Sequence, residues 1–233
     1  MNWMHFSSKD CCLIKMPPLQ NAVFRECCSS RCGFRFPDIN TNSPTIPCPL
    51  CGEPAYIIHQ IELTNDERHL DKNYPQSQNF FCILDNIRSV YNVGSILRTM
   101  HGSGISNVFL CGITPDPTHK NFNKTSMGAE DAISWQPHNN TLHVCREIKN
   151  NGGVIISLES IKESKPINTY QPTNNGQKIA LIVGNELTGI DPSVLAISDH
   201  ILSIPIFGRN KSYNVTVAFG IGLYVLLSKI ESL

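Results

Sequence analysis

The sequence predicts an α/β domain built on a mostly parallel sheet, preceded by a small cysteine-rich module. Three observations predict it. From Phe80 onward, short apolar runs alternate with amphipathic segments, as strands do when both their faces are buried and helices join them. Seven of the ten cysteines fall within the first 51 residues: Cys11, Cys12, Cys27, Cys28, Cys32, Cys48 and Cys51. Between the two regions, residues 58–79 are polar and carry no apolar period.

Taken in order, residues 1–24 contain Pro17-Pro18 and no periodicity and read as a poorly ordered N-terminal tail. Residues 25–57 form the cysteine module and residues 58–79 a linker, expected to be partly helical. The domain proper covers residues 80–233. Its apolar runs at residues 80–86, 106–112, 153–160, 178–186 and 200–206 read as buried strands. Segments around 92–103, 141–151 and 214–230 read as helices, and Asp191-Pro192 opens another. Cys82, Cys111 and Cys145 sit in apolar stretches, where free cysteine acts as a small buried hydrophobe.

Composition narrows the function. Lys and Arg number 19, Asp and Glu 19, so the formal net charge is zero. Residues 1–79 hold 7 basic and 8 acidic side chains and the remainder 12 and 11, so neutrality is not a cancellation between oppositely charged halves. A chain that wraps nucleic acid non-specifically is basic overall; any polyanion recognition here must be local. At 41% hydrophobic residues the chain is too apolar for disorder. The N-terminus MNWMHFSSKD lacks a long apolar run, so no secretory signal is expected, and the apolar stretch Val215 to Leu227 is too short to span a bilayer. A reducing, cytoplasmic setting with no membrane partner follows. Clustered cysteines there point to metal rather than to disulfides.

The module has the spacing Cys27-x4-Cys32 and Cys48-x2-Cys51, with 15 residues between the pairs. Two short loops of this kind present four thiolates to one tetrahedral zinc ion. Gly33 and Gly52 follow the second cysteine of each pair, where a tight turn needs positive φ. Cys28-x3-Cys32 would also serve as the first pair; Cys27 is favoured. So short a module has little core of its own, and a metal is the expected source of its stability. Arg25, Arg31 and Arg35 accompany Phe34 and Phe36. Cations interleaved with aromatics suit phosphate contact and base stacking, although the two phenylalanines would equally pack beneath a metal knuckle.

Three segments of the main domain carry candidate chemistry. The first runs from Leu84 to Thr99, from a strand end through a polar loop into a helix, with Asn92 expected near the cap and Arg98 further along. The second runs from Leu181 to Ile190, an apolar strand ending in Gly184-Asn185-Glu186. Ligands of open α/β sheets collect beyond the carboxyl ends of strands. In the third, Ile204 to Ala218, a basic loop feeds an apolar helix with Ser212 or Asn214 as its cap. Neither Gly102-Ser103-Gly104 nor Gly220-Ile221-Gly222 reaches the third glycine of a dinucleotide fingerprint, and no Walker loop occurs. An α/β enzyme using another nucleotide is therefore disfavoured.

Together and in this order, the segments resemble motifs 1, 2 and 3 of the SpoU/TrmH branch of the SPOUT RNA methyltransferases. Motif 1 reads Asn92-Val-Gly-Ser-Ile-Leu-Arg98, motif 2 Gly184-Asn185-Glu186, and motif 3 Ser212-Tyr213-Asn214-Val-Thr-Val-Ala. Residues 124–130, Lys-Thr-Ser-Met-Gly-Ala-Glu, resemble the loop between the first two motifs. Tyr213 stands where the family commonly has leucine. The resemblance implies a SPOUT fold whose C-terminal segment threads a loop into a deep trefoil knot, a rare exception to unknotted chains. It implies S-adenosylmethionine bound at Gly184, Ile204, Tyr213, Asn214 and Val215, and methyl transfer to a ribose 2′-hydroxyl of tRNA or rRNA by a homodimer, with no DNA substrate. Arg98, Asn92, Glu186, Ser212 and Asn214 are the implied catalytic residues. The alternative is a non-catalytic RNA-binding or assembly protein that retains the fold; the presence of Asn92, Arg98, Glu186 and Asn214 argues against it.

Overall fold

A computed structural model describes residues 21–39, 42–61, 79–172 and 176–230. The chain divides into two compact units, one within Leu13–Asn73 and the other containing Tyr74–Leu233. The expected tail and most of the expected linker lie outside the described residues.

The smaller unit is an antiparallel sheet of β1 (Ala22–Cys27), β2 (Arg35–Asp38), β3 (Thr45–Pro47) and β4 (Pro54–Ile61), in the order β2-β1-β4-β3. It therefore starts before residue 25 and ends beyond residue 57, because β1 and β4 pair along their whole length, from Ala22 opposite Ile61 to Cys27 opposite Ala55. Alternation along β1 buries Val23, Arg25 and Cys27 and exposes Phe24. Arg25 is fully buried: its Nε donates to Asp38 Oδ2 at 2.8 Å and its Nη2 to the Ser43 carbonyl at 2.8 Å. That corrects the expectation that Arg25 contacts RNA. Its charge is consumed in tying β1 to β2 and to the approach to β3. Phe34 and Phe36 stack on each other, with ring centroids 5.5 Å apart, and Phe36 packs against Cys27, Cys48 and Ala55.

The larger unit has a seven-stranded sheet formed by β5 (Phe80–Asp85), β6 (Asn107–Cys111), β7 (Ser134–His138), β8 (Val154–Leu158), β9 (Lys165–Pro166), β10 (Ile179–Gly184) and β11 (His200–Ser203). The order is β7-β6-β5-β10-β8-β11-β9, and every pairing is parallel. The last strands interleave with earlier ones: β10 inserts between β5 and β8, and β11 between β8 and β9. The helices are α1 (Val90–Gly102), the short α2 (Asn123–Ser126), α3 (Thr141–Asn150), α4 (Pro192–Ile197) and α5 (Val215–Ile230).

The central strands β5, β6, β8 and β10 each feed two cores. Phe80, Cys82 and Leu84 of β5 pack with Val93, Ile96, Leu97 and Met100 of α1 and with Phe219, Leu223 and Leu226 of α5. Ile83 belongs instead to the opposite face, with Val144 and Cys145 of α3 and Val194 of α4. Two buried faces explain why these strands read as continuous apolar runs. Burial pushes the thiols of Cys111 and Cys145 up to about 12 and raises that of Cys82 as well, so all three remain packed hydrophobes. Among the described residues no helix is long and apolar enough to cross a membrane.

Candidate functional site

The candidate site is built where β5 and β10, adjacent and parallel, end side by side at Asp85 and Gly184. Beyond β5 the chain turns at Asn86, whose φ of 57° lies in the left-handed region that asparagine tolerates better than most residues. It then enters α1. Ser89, not Asn92, is the cap: it is extended (φ −86°, ψ 116°) and its hydroxyl accepts the Asn92 N–H. Asn92 lies in the first turn, half-buried.

Beyond β10 the chain makes a closed turn. The Asn185 N–H donates to the Gly189 carbonyl at 3.1 Å, and the Gly189 N–H returns to the Asn185 carbonyl at 2.9 Å. The Asn185 side chain accepts the N–H groups of Leu187 and Thr188 and donates to the Asn86 carbonyl at 2.7 Å. A Cβ on Gly184 would stand 2.4 Å from the Gly189 carbonyl carbon and the Ile190 nitrogen, so the turn folds back only over a glycine.

This turn delivers Glu186 to the start of α1. Its carboxylate accepts the Arg88 N–H at 2.9 Å, the Ser89 N–H at 3.2 Å and the Asn92 side-chain amide at 2.8 Å. Partial desolvation opposes its charge, but the N–H groups of Arg88, of Glu186 itself and of Ser89, with the Asn92 amide, hold the carboxyl below its ordinary value. An anion at a helix N-terminus is also favoured by the helix dipole. Glu186 is thus an ionised clamp between the first two motifs, not a proton acceptor in waiting.

Asp85 is a second hub that the sequence reading passed over. Buried at the strand end, it accepts from Thr141 Oγ1 at 2.5 Å, Asn86 Nδ2 at 2.8 Å and the Asp191 N–H at 2.8 Å. A cavity of about 370 Å³ opens beside it, lined by Asp85, Asn86, Ile113, Asn185 and Asp191 among others. Asp85, Asn86 and Asn185 bond one another and their neighbours, which marks scaffolding rather than a receptor. A polar pair ending an apolar run, Asp85-Asn86, was the available signal.

Arg98 is exposed on α1 and makes no ion pair among the described residues. Its Nη1 donates to the Met127 sulfur at 2.9 Å. No hydrogen bond joins it to Asn92, which is turned toward Glu186. At the third motif, Asn214 rather than Ser212 caps α5, accepting the Thr216 N–H at 2.9 Å. Ser212 is exposed, and Tyr213 is 41% exposed. Ile204 and Val215 pack partly buried against the core. The first two motifs are therefore joined by direct hydrogen bonds, and the third is joined to them through the packing of α5 on α1.

In the smaller unit, the ligand atoms of Cys27, Cys32, Cys48 and Cys51 all lie within 4.8 Å of one another, with Cys27 Sγ 3.4 Å from Cys51 Sγ and Cys32 Sγ 3.9 Å from Cys48 Sγ. Four thiolates at zinc–sulfur distances of about 2.3 Å stand about 3.8 Å apart. The Ser29 and Leu50 N–H groups point at Cys27 and Cys48 sulfurs, and Gly33 and Gly52 take φ of 55° and 80°. Cys28 is exposed and outside the group.

Comparison with known proteins gives a consistent picture. A profile of the SpoU rRNA Methylase family matches residues 79–224. The tRNA (guanosine(18)-2'-O)-methyltransferase of Aquifex aeolicus is 27% identical over 169 residues, 72% of this chain and 77% of that one. The 23S rRNA (guanosine(2553)-2'-O)-methyltransferase of Bacillus subtilis is 30% identical over 144 residues, 62% of this chain and 56% of that enzyme. Among solved structures, the A. aeolicus TrmH/SpoU tRNA modifying enzyme superposes with a TM-score of 0.60 at 25% identity, covering 71% of this chain and 84% of that one. The AdoMet-bound rRNA methyltransferase from Sinorhizobium meliloti superposes with a TM-score of 0.59 at 28% identity, covering 65% and 56%. The sheet order, the joined motif loops and the matched span together establish that this chain belongs to the SpoU rRNA methylase family.

Proposed function

We propose that this chain transfers the methyl group of S-adenosylmethionine to a ribose 2′-hydroxyl of tRNA or rRNA. The observation that carries the reading is the Glu186 clamp, which holds the end of β10 against the first turn of the helix bearing Arg98. The turn 184–189, Ile204 just beyond β11 and the first turn of α5 form the proposed cofactor site. Tyr213 and Phe207 are 41% and 96% exposed there, apolar surface suited to a nucleoside. Bound S-adenosylmethionine supplies a methyl group that is already electrophilic.

The protein must then orient the ribose oxygen and assist loss of its proton. A guanidinium is a poor base, so Arg98 is not assigned the proton. Its free donors suit a substrate phosphate and the charge developing on the 2′-oxygen, with the phosphate taking the proton. Asn92 and Glu186 hold the start of α1, and Asn214 and Ser212 shape the third loop around the ribose. The test is methyl incorporation into tRNA and rRNA from cells lacking this gene, with 2′-O-methylation mapped afterwards. Arg98→Ala is expected to abolish incorporation while the protein still binds S-adenosylmethionine; full activity in that variant ends the assignment.

The smaller unit is proposed to hold one structural zinc through Cys27, Cys32, Cys48 and Cys51. Four thiolates held within 4.8 Å of one another repel, and only an added cation lets four charges sit this close. A homodimer is also proposed: Val217, Ile221 and Tyr224, at helical spacing on α5, are 48%, 36% and 76% exposed, an apolar stripe that a second copy would cover.

A further inference from the structure

We infer that Met127 is a positioning residue for Arg98: its thioether holds the guanidinium until a substrate phosphate replaces the sulfur. This rests on the assignment of Arg98 to the reaction and adds a residue to it.

The loop that carries Met127 is locked to α1. Gly94 leaves room for it, since a Cβ there would stand 2.3 Å from Thr125 Oγ1 and 3.0 Å from the Phe122 carbonyl oxygen. Thr125 Oγ1 then donates to the Tyr91 carbonyl at 3.1 Å, and the Ser126 hydroxyl donates to the Phe122 carbonyl at 3.1 Å. Met127 ends α2 at φ 50° and ψ 42°, and Gly128 follows at φ 85°. A left-handed residue with a Cβ is unfavourable, and glycine or asparagine is usual at such a helix end. Met127 is also 66% exposed, so burial does not offset the conformation. What the position does provide is a sulfur 2.9 Å from Arg98 Nη1.

The chemistry of that acceptor suits the role. A carboxylate beside Arg98 would form a charge-assisted pair that a phosphate would have to break. Thioether sulfur is a weak, uncharged acceptor, so it restrains a long side chain yet yields to an anion. Arg98 makes no ion pair among the described residues, which leaves its charge for the substrate. The N–H groups of its two other nitrogens, Nε and Nη2, stay with the solvent or the incoming ligand.

The inference is tested with Met127→Gln, Met127→Glu, Met127→Gly and Arg98→Ala in the full chain, using methyl-labelled S-adenosylmethionine with unfractionated tRNA and rRNA from cells lacking this gene. Gln and Glu are nearly isosteric, so a role in packing alone treats them alike. Pairing with Arg98 separates them: Met127→Glu is expected to lower kcat/KM for RNA at least about tenfold, and Met127→Gln within about threefold. Met127→Gly relieves the left-handed conformation, so its melting temperature is expected to hold or rise while kcat falls about fivefold. Equal kcat/KM in the Gln and Glu variants, or activity in Met127→Gly at or above the parent's, overturns the inference. Retained activity in Arg98→Ala instead overturns the assignment on which it rests, whatever the Met127 variants do.

Discussion

The Glu186 carboxylate accepts the Asn92 side-chain amide at 2.8 Å, across 94 residues of sequence and between the ends of two neighbouring parallel strands. Its other partners, the Arg88 and Ser89 N–H groups, are donors that a helix start leaves without an intrahelical acceptor. One ionised side chain therefore completes α1 and fixes the β10 turn against it. Arg98 sits less than two turns along the same helix, so its placement inherits whatever this contact sets.

Removing the clamp should reach activity further than stability. Glu186→Ala frees three donors at the helix start, a loss of about 1 kcal/mol by comparison with helix caps. The misplacement of the motif loops is expected to lower kcat/KM about a hundredfold. Thermal melting and methyl-transfer kinetics on the same preparation check this; equal, small effects on both would remove the clamp from the reaction.

The depressed carboxyl of Glu186 also predicts a pH dependence. Its ordinary value is 4.5 and the folded value is lower, so the unfolded chain takes up the proton first. The stabilisation is fully present above the ordinary value and is lost as pH falls through the folded one. The melting-temperature difference between parent and Glu186→Gln is therefore expected to be constant above about pH 6 and to shrink below about pH 4.5. Asp199, lowered despite desolvation by the Ile155 N–H and Lys149, titrates in the same direction in both proteins and cancels.

Gly184 admits no side chain. A Cβ there meets backbone atoms at 2.4 Å, and backbone cannot swing aside as a long side chain does. Gly184→Ala is expected to cost about 1–3 kcal/mol and to weaken S-adenosylmethionine binding, because the β10 turn must open to relieve the clash. Gly102→Ala, where a Cβ meets nothing within 4 Å, is the control and should bind as the parent does. Calorimetric titration with the cofactor distinguishes the two.

Most of the parallel sheet was legible because strands buried on both faces are written as unbroken apolar runs. Its edges were not. β7 carries Pro137, which pairs opposite Leu110 at the end of the sheet order; an edge strand tolerates the missing N–H, but in sequence proline argues against a strand. β9 is two residues long and has no pattern to read. The ordered motifs exposed the polar turns after β5 and β10, yet not their coupling, which depends on parallel register between distant strands. The resemblance of residues 124–130 marked the loop but not the part Met127 plays in it, since nothing in a loop sequence shows a methionine held in left-handed conformation. In the cysteine module the thiol spacing was readable, whereas β1 was not, because it buries Arg25 and exposes Phe24 and so inverts the expected alternation, and β2 and β3 are only four and three residues long.

Zinc binding should discriminate between neighbouring cysteines. Cys28 is exposed and outside the thiol group, whereas Cys27 is buried within it. Cys28→Ser is expected to retain about one zinc per chain by elemental analysis, and Cys27→Ser to lose most of it, since a tetrahedral site closed by three thiolates and water holds zinc far less tightly. Removing the metal with a chelator should expose the amides of β1 and β4 to hydrogen exchange while those of β5 and β10 stay protected.

Arg25 separates two meanings of a basic residue in an RNA-modifying protein. Read as a surface cation, its removal would weaken RNA binding in a salt-dependent way and leave the fold untouched. Its side chain is fully buried, however, and bridges Asp38 of β2 and the carbonyls of Ser43 and Pro44 before β3. Arg25→Ala removes the buried charge that pairs with Asp38, at about 3 kcal/mol, and Lys cannot restore the planar fork that serves three acceptors at once. Both variants are therefore expected to unfold the smaller unit at lower temperature, by hydrogen exchange at β1 and β2. The shift should change little between low and high salt, because a buried pair is weakly screened. A stable unit with RNA affinity lost only at low salt would return Arg25 to the surface role.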